Sequence, residues 1–393
     1  KWSASIYNSE EQHYTTVNTN NSELVTGNSS VEVGLPAGTY YIRVENYSSA
    51  VDKVYDMTVK YTESDLYEKE FNNTVATATP FKLNNSYKGT ISHSSDLDFY
   101  KFTLASDSNV SISISALEGK SWSLYLQDDK GNTVDYFYTK YSGVISNSAS
   151  IDVGLPKGTY YVKVSNYTNS VDHPYTLKIN AKASKVYEKE HNDTFTTATT
   201  LPLNTAMNGS IGNKPSSDYD YYKLVVPTSG NVKVSMTQKS GYAWNINLMD
   251  SKGTSVMYAN TNYNDLVKGN WTSSLYLTKG TYYIRISNYT NATWKPYTLK
   301  VSQTTVTPTA KNITIKNNKG KADTITVKSV KKGSTIKVYN SKSKQIASVK
   351  ATGTTATLTV KQLGTQAGKV YVTVQEPGKL VSARRTVNFA KEK

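Results

Sequence analysis

Apolar and polar residues alternate with a period of two through most of the chain. In Thr159–Asn166, Tyr160, Val162 and Val164 share one face while Tyr161, Lys163 and Ser165 share the other. Tyr282, Ile284 and Ile286 stand against Tyr283, Arg285 and Ser287 in the same way, and Tyr40, Ile42 and Val44 against Tyr41, Arg43 and Glu45. Such alternation predicts half-buried antiparallel strands. Trp122, Leu124 and Leu126 follow it, as do Trp244, Ile246 and Leu248, and Tyr175, Leu177 and Ile179 form a closing strand matched by Tyr297, Leu299 and Val301. Turn signals at Asp129–Asn132 and Ser251–Gly253 punctuate these runs. Helix-period runs are missing. The expected fold class is all-β, as two-sheet sandwiches or jelly rolls.

The pattern repeats at long range. Gly34–Tyr47 reads GLPAGTYYIRVENY, Gly154–Tyr167 reads GLPKGTYYVKVSNY and Tyr276–Tyr289 reads YLTKGTYYIRISNY. The GTYY glycines are Gly38, Gly158 and Gly280, and Trp2, Trp122 and Trp244 keep the same register. Two further marks, YEKE at Tyr67 and Tyr187 and the SSD stretch from Ser94 and from Ser216, occur only in the second and third units. A period of about 120 residues is too long for a solenoid and fits whole domains in tandem. The expected domains are 1–63, the C-terminal half of a unit; 64–183 and 184–304, two complete units; and 305–393, a separate domain. Residue 1 aligns with the middle of a unit, so the chain is expected to be a fragment of a longer protein, with residues 1–63 frayed, paired with a neighbouring chain or completed by residues not present here.

Charge supports the last boundary. The net charge is +15, and 305–393 alone hold 16 Lys, 2 Arg and three acids, Asp323, Glu376 and Glu392. Everything before that segment is neutral overall, and Thr304–Thr309 reads as a linker. The absence of cysteine excludes disulfides, a thiol nucleophile and thiolate metal sites. Four histidines leave little for zinc or triad chemistry. No GxSxG, HExxH or glycine-rich phosphate loop occurs, His93 beside Ser94 and Ser95 makes no triad by adjacency, and the sequence reads as non-enzymatic. No apolar run reaches 18 residues, so no membrane-spanning helix is expected, and no signal peptide is visible. The tail predicts strands at Thr324–Val330, Thr335–Tyr339, Gln345–Val349, Ala356–Val360, Lys369–Val374 and Arg384–Phe389.

The E-x-N-[ND]-T turn, the G-[TS]-I strands at Gly89 and Gly209, the D-x-D-[FY]-Y strand and the L-x-x-G-T-Y-Y strand together resemble the bacterial pre-peptidase C-terminal domain. Two full copies and one half copy would cover residues 1–304. The resemblance implies jelly-roll-like, non-catalytic modules that accompany secreted bacterial peptidases and surface proteins, with the collagen-binding module of clostridial collagenases as a distant relative. The tail is similar to immunoglobulin-like modules of Gram-positive secreted and wall-associated proteins.

Three sets of residues carry candidate chemistry. Glu68, Glu70, Asn72 and Asn73 are hard oxygen donors in one turn, and Asp96 and Asp98 share a strand face that continues into an apolar one. Carboxylates at the mouth of an apolar face repel unless protonated, paired or neutralised by a cation, and calcium accepts six to eight such oxygens. Glu188, Glu190, Asn192, Asp193, Asp218 and Asp220 repeat the set, with Asp193 adding one carboxylate and hence tighter expected binding. In the collagen-binding relatives the corresponding turn holds calcium. The alternative is a solvated Asx turn capping a strand. Tyr41, Tyr161 and Tyr283 beside Arg43, Lys163 and Arg285 could form an aromatic platform for a peptide or sugar, against the favoured alternative of ordinary cross-strand packing. The basic tail suits an anionic cell-wall polymer or serves only as a solubilising surface; nucleic acid is not expected, because aromatics are not interleaved with the cations.

The expected function is therefore extracellular binding or anchoring, secreted or wall-associated. The repeats, stiffened by calcium, would engage a protein or polysaccharide, and the tail would attach to the wall. The alternatives are a passive spacer and a removable maturation or folding module of an upstream peptidase.

Overall fold

The computed structural model describes residues 1–19, 29–115, 119–139, 148–213, 218–238, 242–261, 270–290 and 292–392. It is nearly all β. The strands of the first repeat are β1 (Trp2–Asn8), β2 (His13–Asn18) and β3 (Tyr40–Asn46). The second repeat holds β4 (Thr79–Pro80), β5 (Asn85–Thr90), β6 (Leu97–Leu104), β7 (Ser108–Ser115), β8 (Ser121–Asp128), β9 (Thr133–Tyr138), β10 (Ser148–Leu155), β11 (Gly158–Thr168) and β12 (Pro174–Ala183). The third holds β13 (Thr199–Thr200), β14 (Ala206–Ser210), β15 (Asp220–Val226), β16 (Gly230–Gln238), β17 (Ala243–Asp250), β18 (Ser255–Asn260), β19 (Asn270–Leu277), β20 (Gly280–Thr290) and β21 (Pro296–Gln303). The tail adds β22 (Ile313–Lys316), β23 (Asp323–Lys328), β24 (Thr335–Tyr339), β25 (Gln345–Lys350), β26 (Thr355–Val360), β27 (Gly368–Gln375) and β28 (Arg385–Phe389). Each tail strand expected from the sequence is present within about two residues of its limits.

The second repeat shows how the alternation works. Its sheets run β10-β7-β12-β5 and β4-β6-β11-β8-β9. The GTYY strand β11 is central, antiparallel to β6 on one side and β8 on the other. Tyr160, Val162 and Val164 therefore meet the core, where Trp122, Leu124, Leu126, Tyr100, Phe102, Ile112, Ile114, Tyr175, Leu177 and Ile179 are all buried. Trp122 has no exposed surface, and truncating a side chain of that size costs about 3–5 kcal/mol. The third repeat has the same strand orders, β13-β15-β20-β17-β18 and β14-β21-β16-β19.

The first repeat forms one sheet of order β2-β1-β3. Tyr55, Met57 and Val59 correspond to Tyr175, Leu177 and Ile179 but are half or more exposed, because no described strand lies over them. The tail packs a sheet of order β22-β23-β26 against one of order β25-β24-β27-β28, around Ile325, Val327, Ile336, Val338, Leu358, Val370 and Val372. Thr304–Thr309 is bonded rather than free: Thr305 N–H donates to Leu380 O at 2.9 Å, and Thr305 Oγ1 accepts from Glu376 N–H at 2.9 Å.

By contact density the chain divides into two compact units, Lys1–Thr197 with Asn208–Tyr221 and Ile286–Pro296, and Ala198–Met207 with Tyr222–Arg285 and Tyr297–Lys393. The carboxylate clusters of both full repeats lie in the first unit and the basic tail in the second.

Candidate metal centre

The entry turn of the second repeat is pinned at both ends. Glu68 N–H donates to Lys88 O at 2.9 Å, and Phe99 N–H donates to Asn72 O at 2.9 Å. These bonds draw the turn over the start of β6 and bury Glu68, Glu70, Asn72, Asp96 and Asp98. Carboxylate oxygens of Glu68, Glu70 and Asp98 lie within 4.8 Å of one another. Two oxygens that ligate one calcium at 2.3–2.6 Å can be at most about 5 Å apart, so this spacing fits a shared cation.

Glu68 and Asp98 each have one oxygen committed and another without a partner. Glu68 Oε1 accepts from Thr90 N–H at 2.6 Å, and Asp98 Oδ2 accepts from Tyr175 O–H at 2.5 Å. Glu68 Oε2, Glu70 Oε2, Asp98 Oδ1 and Asn72 Oδ1 are buried with no hydrogen-bond donor. Four orphaned oxygen acceptors in one buried cluster are costly unless a proton or cation meets them. Among the described residues no Lys or Arg pairs with these three acids. Burial first, then mutual repulsion, pushes Glu68 and Asp98 well above the usual carboxylate range and Glu70 up to about 9. The donor set is all hard oxygen and fits calcium better than a softer metal.

The third repeat reproduces the cluster. Glu188, Glu190 and Asp220 oxygens lie within 4.8 Å of one another, Ser210 N–H donates to Glu188 Oε1 at 2.6 Å, and Asn192 Nδ2 donates to Glu188 Oε2 at 3.3 Å. Burial pushes Glu188 up to about 7, and burial with the charges of Glu188, Asp218 and Glu190 pushes Asp220 well up.

Four of the expected donors each have one oxygen that accepts a backbone N–H. Asp96 Oδ2 accepts from Ser92 N–H and Oγ at 2.7 and 2.8 Å, and its counterpart Asp218 accepts from Gly212 N–H at 2.5 Å. Asn73 Oδ1 accepts from Leu97 N–H at 3.0 Å, and Asp193 Oδ1 from Tyr219 N–H at 3.2 Å. These bonds tie the entry turn and the loop before the strand to nearby backbone N–H groups. Asp193 also approaches Glu190 and His191, within 4.8 Å between ligand atoms.

The aromatic set divides differently. Arg43 lies over the Tyr7 ring at 5.0 Å and pairs with Glu45 at 3.2 Å, while Tyr41 is 59% exposed. Tyr161 and Tyr283 are half-buried, as are Lys163 and Arg285. Lys163 Nζ sits 4.5 Å above the Tyr125 ring. Tyr125 stacks on Tyr136 at 5.3 Å, Tyr136 meets Tyr138 edge-on at 5.7 Å, and Tyr138 stacks on Tyr167 at 4.4 Å. This tyrosine group on the outer face of one sheet was not singled out from the sequence. Tyr136 and Tyr138 alternate with the buried Asp135 and Phe137, and a bulge in the pairing of β8 with β9 puts Val134 on the buried side as well. His93 Nδ1 lies 3.0 Å from Ser95 Oγ, a local turn contact.

Comparison with known proteins follows this geometry. Residues 96–166 match the family model of the bacterial pre-peptidase C-terminal domain. The chain is 25% identical over 238 residues to collagenase ColT of Clostridium tetani, covering 58% of this chain and 23% of the collagenase. It is 26% identical over 237 residues to collagenase ColA of Clostridium perfringens, covering 57% and 21%. The chain thus spans less than a quarter of the length of these relatives. Among solved structures, the pre-peptidase C-terminal domain of a Bacillus anthracis collagenase is 21% identical, with a TM-score of 0.23 and coverage of 27% of this chain and 94% of that one. Among the described residues no helix is long and apolar enough to cross a membrane. The segment similar to the bacterial pre-peptidase C-terminal domain, residues 96–166, runs from Asp96 and Asp98 of the first cluster through the Trp122 and GTYY strands.

Proposed function

We propose that this chain is a set of non-catalytic, extracellular binding modules from the C-terminal part of a secreted bacterial peptidase. On this reading residues 64–183 and 184–304 are two calcium-stiffened modules in tandem, and 305–393 are an immunoglobulin-like domain. The observation that carries it is the recurrence of one buried three-carboxylate cluster, Glu68, Glu70 and Asp98 and then Glu188, Glu190 and Asp220. Calcium would be held by those carboxylates with Asn72 or Asn192 as a neutral oxygen donor. Bound there, it would supply positive charge to the buried acids and tie each entry turn to the strand beneath it.

The relatives are named collagenases, so an extended extracellular protein such as collagen is the first ligand to test. The Tyr125, Tyr136, Tyr138 and Tyr167 group with Tyr161 and Lys163 offers flat rings and a cation for it. Co-sedimentation of the chain with collagen fibrils, in calcium and in chelator, tests this. The reading expects calcium-dependent retention that falls when Tyr138 and Tyr167 become Ala. Retention that ignores both changes would contradict it, and absence of retention on protein and polysaccharide alike would favour a passive spacer.

A further inference from the structure

The cations of the tail are not all equivalent. On β24 and β27 the buried Ile336, Val338, Val370 and Val372 face the core, which places Lys337, Tyr339, Lys369 and Tyr371 on the outer face of the β25-β24-β27-β28 sheet. Tyr339 pairs directly with Tyr371 across the two strands. The Arg384 guanidinium lies over both rings, 4.5 Å from the Tyr339 centroid and 5.8 Å from that of Tyr371. Its Nη1 donates to Ser343 Oγ at 2.8 Å. The Lys369 ammonium lies 5.9 Å from the same Tyr371 ring.

Among the described residues no acid forms an ion pair with Lys337, Lys369 or Arg384. Asp323 is fully buried on the opposite sheet and accepts from Asn318 and Leu363 N–H; Glu376 pairs with Lys379 at 2.8 Å; Glu392 accepts from Gln362 at 2.6 Å. A guanidinium stacked on two rings and fixed through one nitrogen loses little freedom when its remaining N–H groups meet an anion. The guanidinium covers one face of Tyr339, which leaves less ring surface for a stacked nucleobase.

We propose that this face is a binding site for a linear phosphodiester polymer of the extracellular wall, with Arg384 as the anion fork and Lys337 and Lys369 as flanking charges. A phosphate group suits it because its tetrahedral oxygens point in several directions and can meet the guanidinium edge and an ammonium together, whereas a planar carboxylate spends both oxygens on the fork. The site is independent of calcium and of the repeats, and only the wall as the source of its ligand rests on the extracellular reading proposed above.

The test is binding of the full chain to immobilised poly(glycerol phosphate) across a salt series starting near ~50 mM, where counterion release is readable. Arg384→Ala is expected to weaken binding roughly tenfold and to lower the slope of log K against log salt by about 1. Arg384→Lys keeps the charge, so it restores the slope but not the affinity. Lys328→Ala, an exposed lysine on the other sheet, is expected to stay within about twofold. Three results would overturn the proposal: no binding at low salt, equal loss in Arg384→Ala and Lys328→Ala, or equal affinity for polyglutamate. The last two would mean a diffuse positive field rather than a site. Unchanged melting temperatures of the variants exclude misfolding as the cause.

Discussion

Asp98 concentrates the conflict at the residue scale. It is fully buried, one oxygen is bound by Tyr175 and the other has no donor. Its effect should therefore change sign with metal. In chelator, Asp98→Asn removes a buried charge and should raise the melting temperature by a few degrees. In calcium the same change deletes a ligand and should lower it relative to the parent. A variant that destabilises equally in both conditions would make Asp98 a packing residue only. The pH dependence of the metal-free chain follows from the same acids. Glu70 and Glu188 bind protons more tightly folded than unfolded, with folded values near 9 and 7. The stabilisation is complete below the unfolded carboxylate range and is lost as pH rises towards those values. Thermal melts in chelator should show stability falling between about pH 5 and 9, and calcium should flatten that fall. At this scale donor type and spacing in the sequence already group Glu68, Glu70 and Asp98, which the fold brings together and buries. The backbone N–H groups that Asn73, Asp193, Asp96 and Asp218 accept from are not legible in the sequence, because for Asn73 and Asp193 they lie in a segment brought close only by the fold.

At the scale of elements, the entry turns are built against the preceding repeat. Glu70 N–H donates to Gly34 O at 3.2 Å, and Glu190 N–H donates to Gly154 O at 2.9 Å. The glycines permit this approach: a Cβ on Gly154 would lie 1.8 Å from Glu188 O, and one on Gly34 2.3 Å from Glu68 O. Gly154→Ala should cost about 1–3 kcal/mol in a denaturant melt and weaken calcium binding at Glu188 and Glu190 more than at Glu68 and Glu70. Equal weakening at both clusters would separate the junction from the metal. A second contact at each junction swaps donors. Thr15 Oγ1 donates to Asp172 Oδ1 at 3.2 Å, whereas Trp294 Nε1 donates to Asp135 at 3.1–3.2 Å, with Asn213 and Tyr136 N–H adding bonds at 2.8 and 2.7 Å. Burial pushes Asp135 up to about 7. Trp294→Phe removes the indole donor and should destabilise by about 1–2 kcal/mol at neutral pH, read by denaturant unfolding. The strands themselves were legible because two-residue alternation and turn residues are local properties. These junctions were not: GLPxG looks like turn chemistry, and nothing local couples residue 15 to 172 or 135 to 294.

For the whole molecule, the separation of charge was visible in composition and has a structural counterpart. The neutral repeats bury carboxylates in repeated clusters, and the tail carries the entire net positive charge on a three-plus-four-stranded sandwich. The central claim is that the buried acids of both full repeats are completed by calcium. Thermal melting of the full chain with calcium and with chelator tests it most directly, alongside an Asp98→Asn, Asp220→Asn double variant. Binding to the folded state alone stabilises by about 2.7 kcal/mol per site when free calcium is 100 times Kd. The account predicts a clear calcium-dependent rise in melting temperature in the parent, reversed by chelator and absent in the double variant. No rise at millimolar calcium, or a rise of equal size in the double variant, would contradict it.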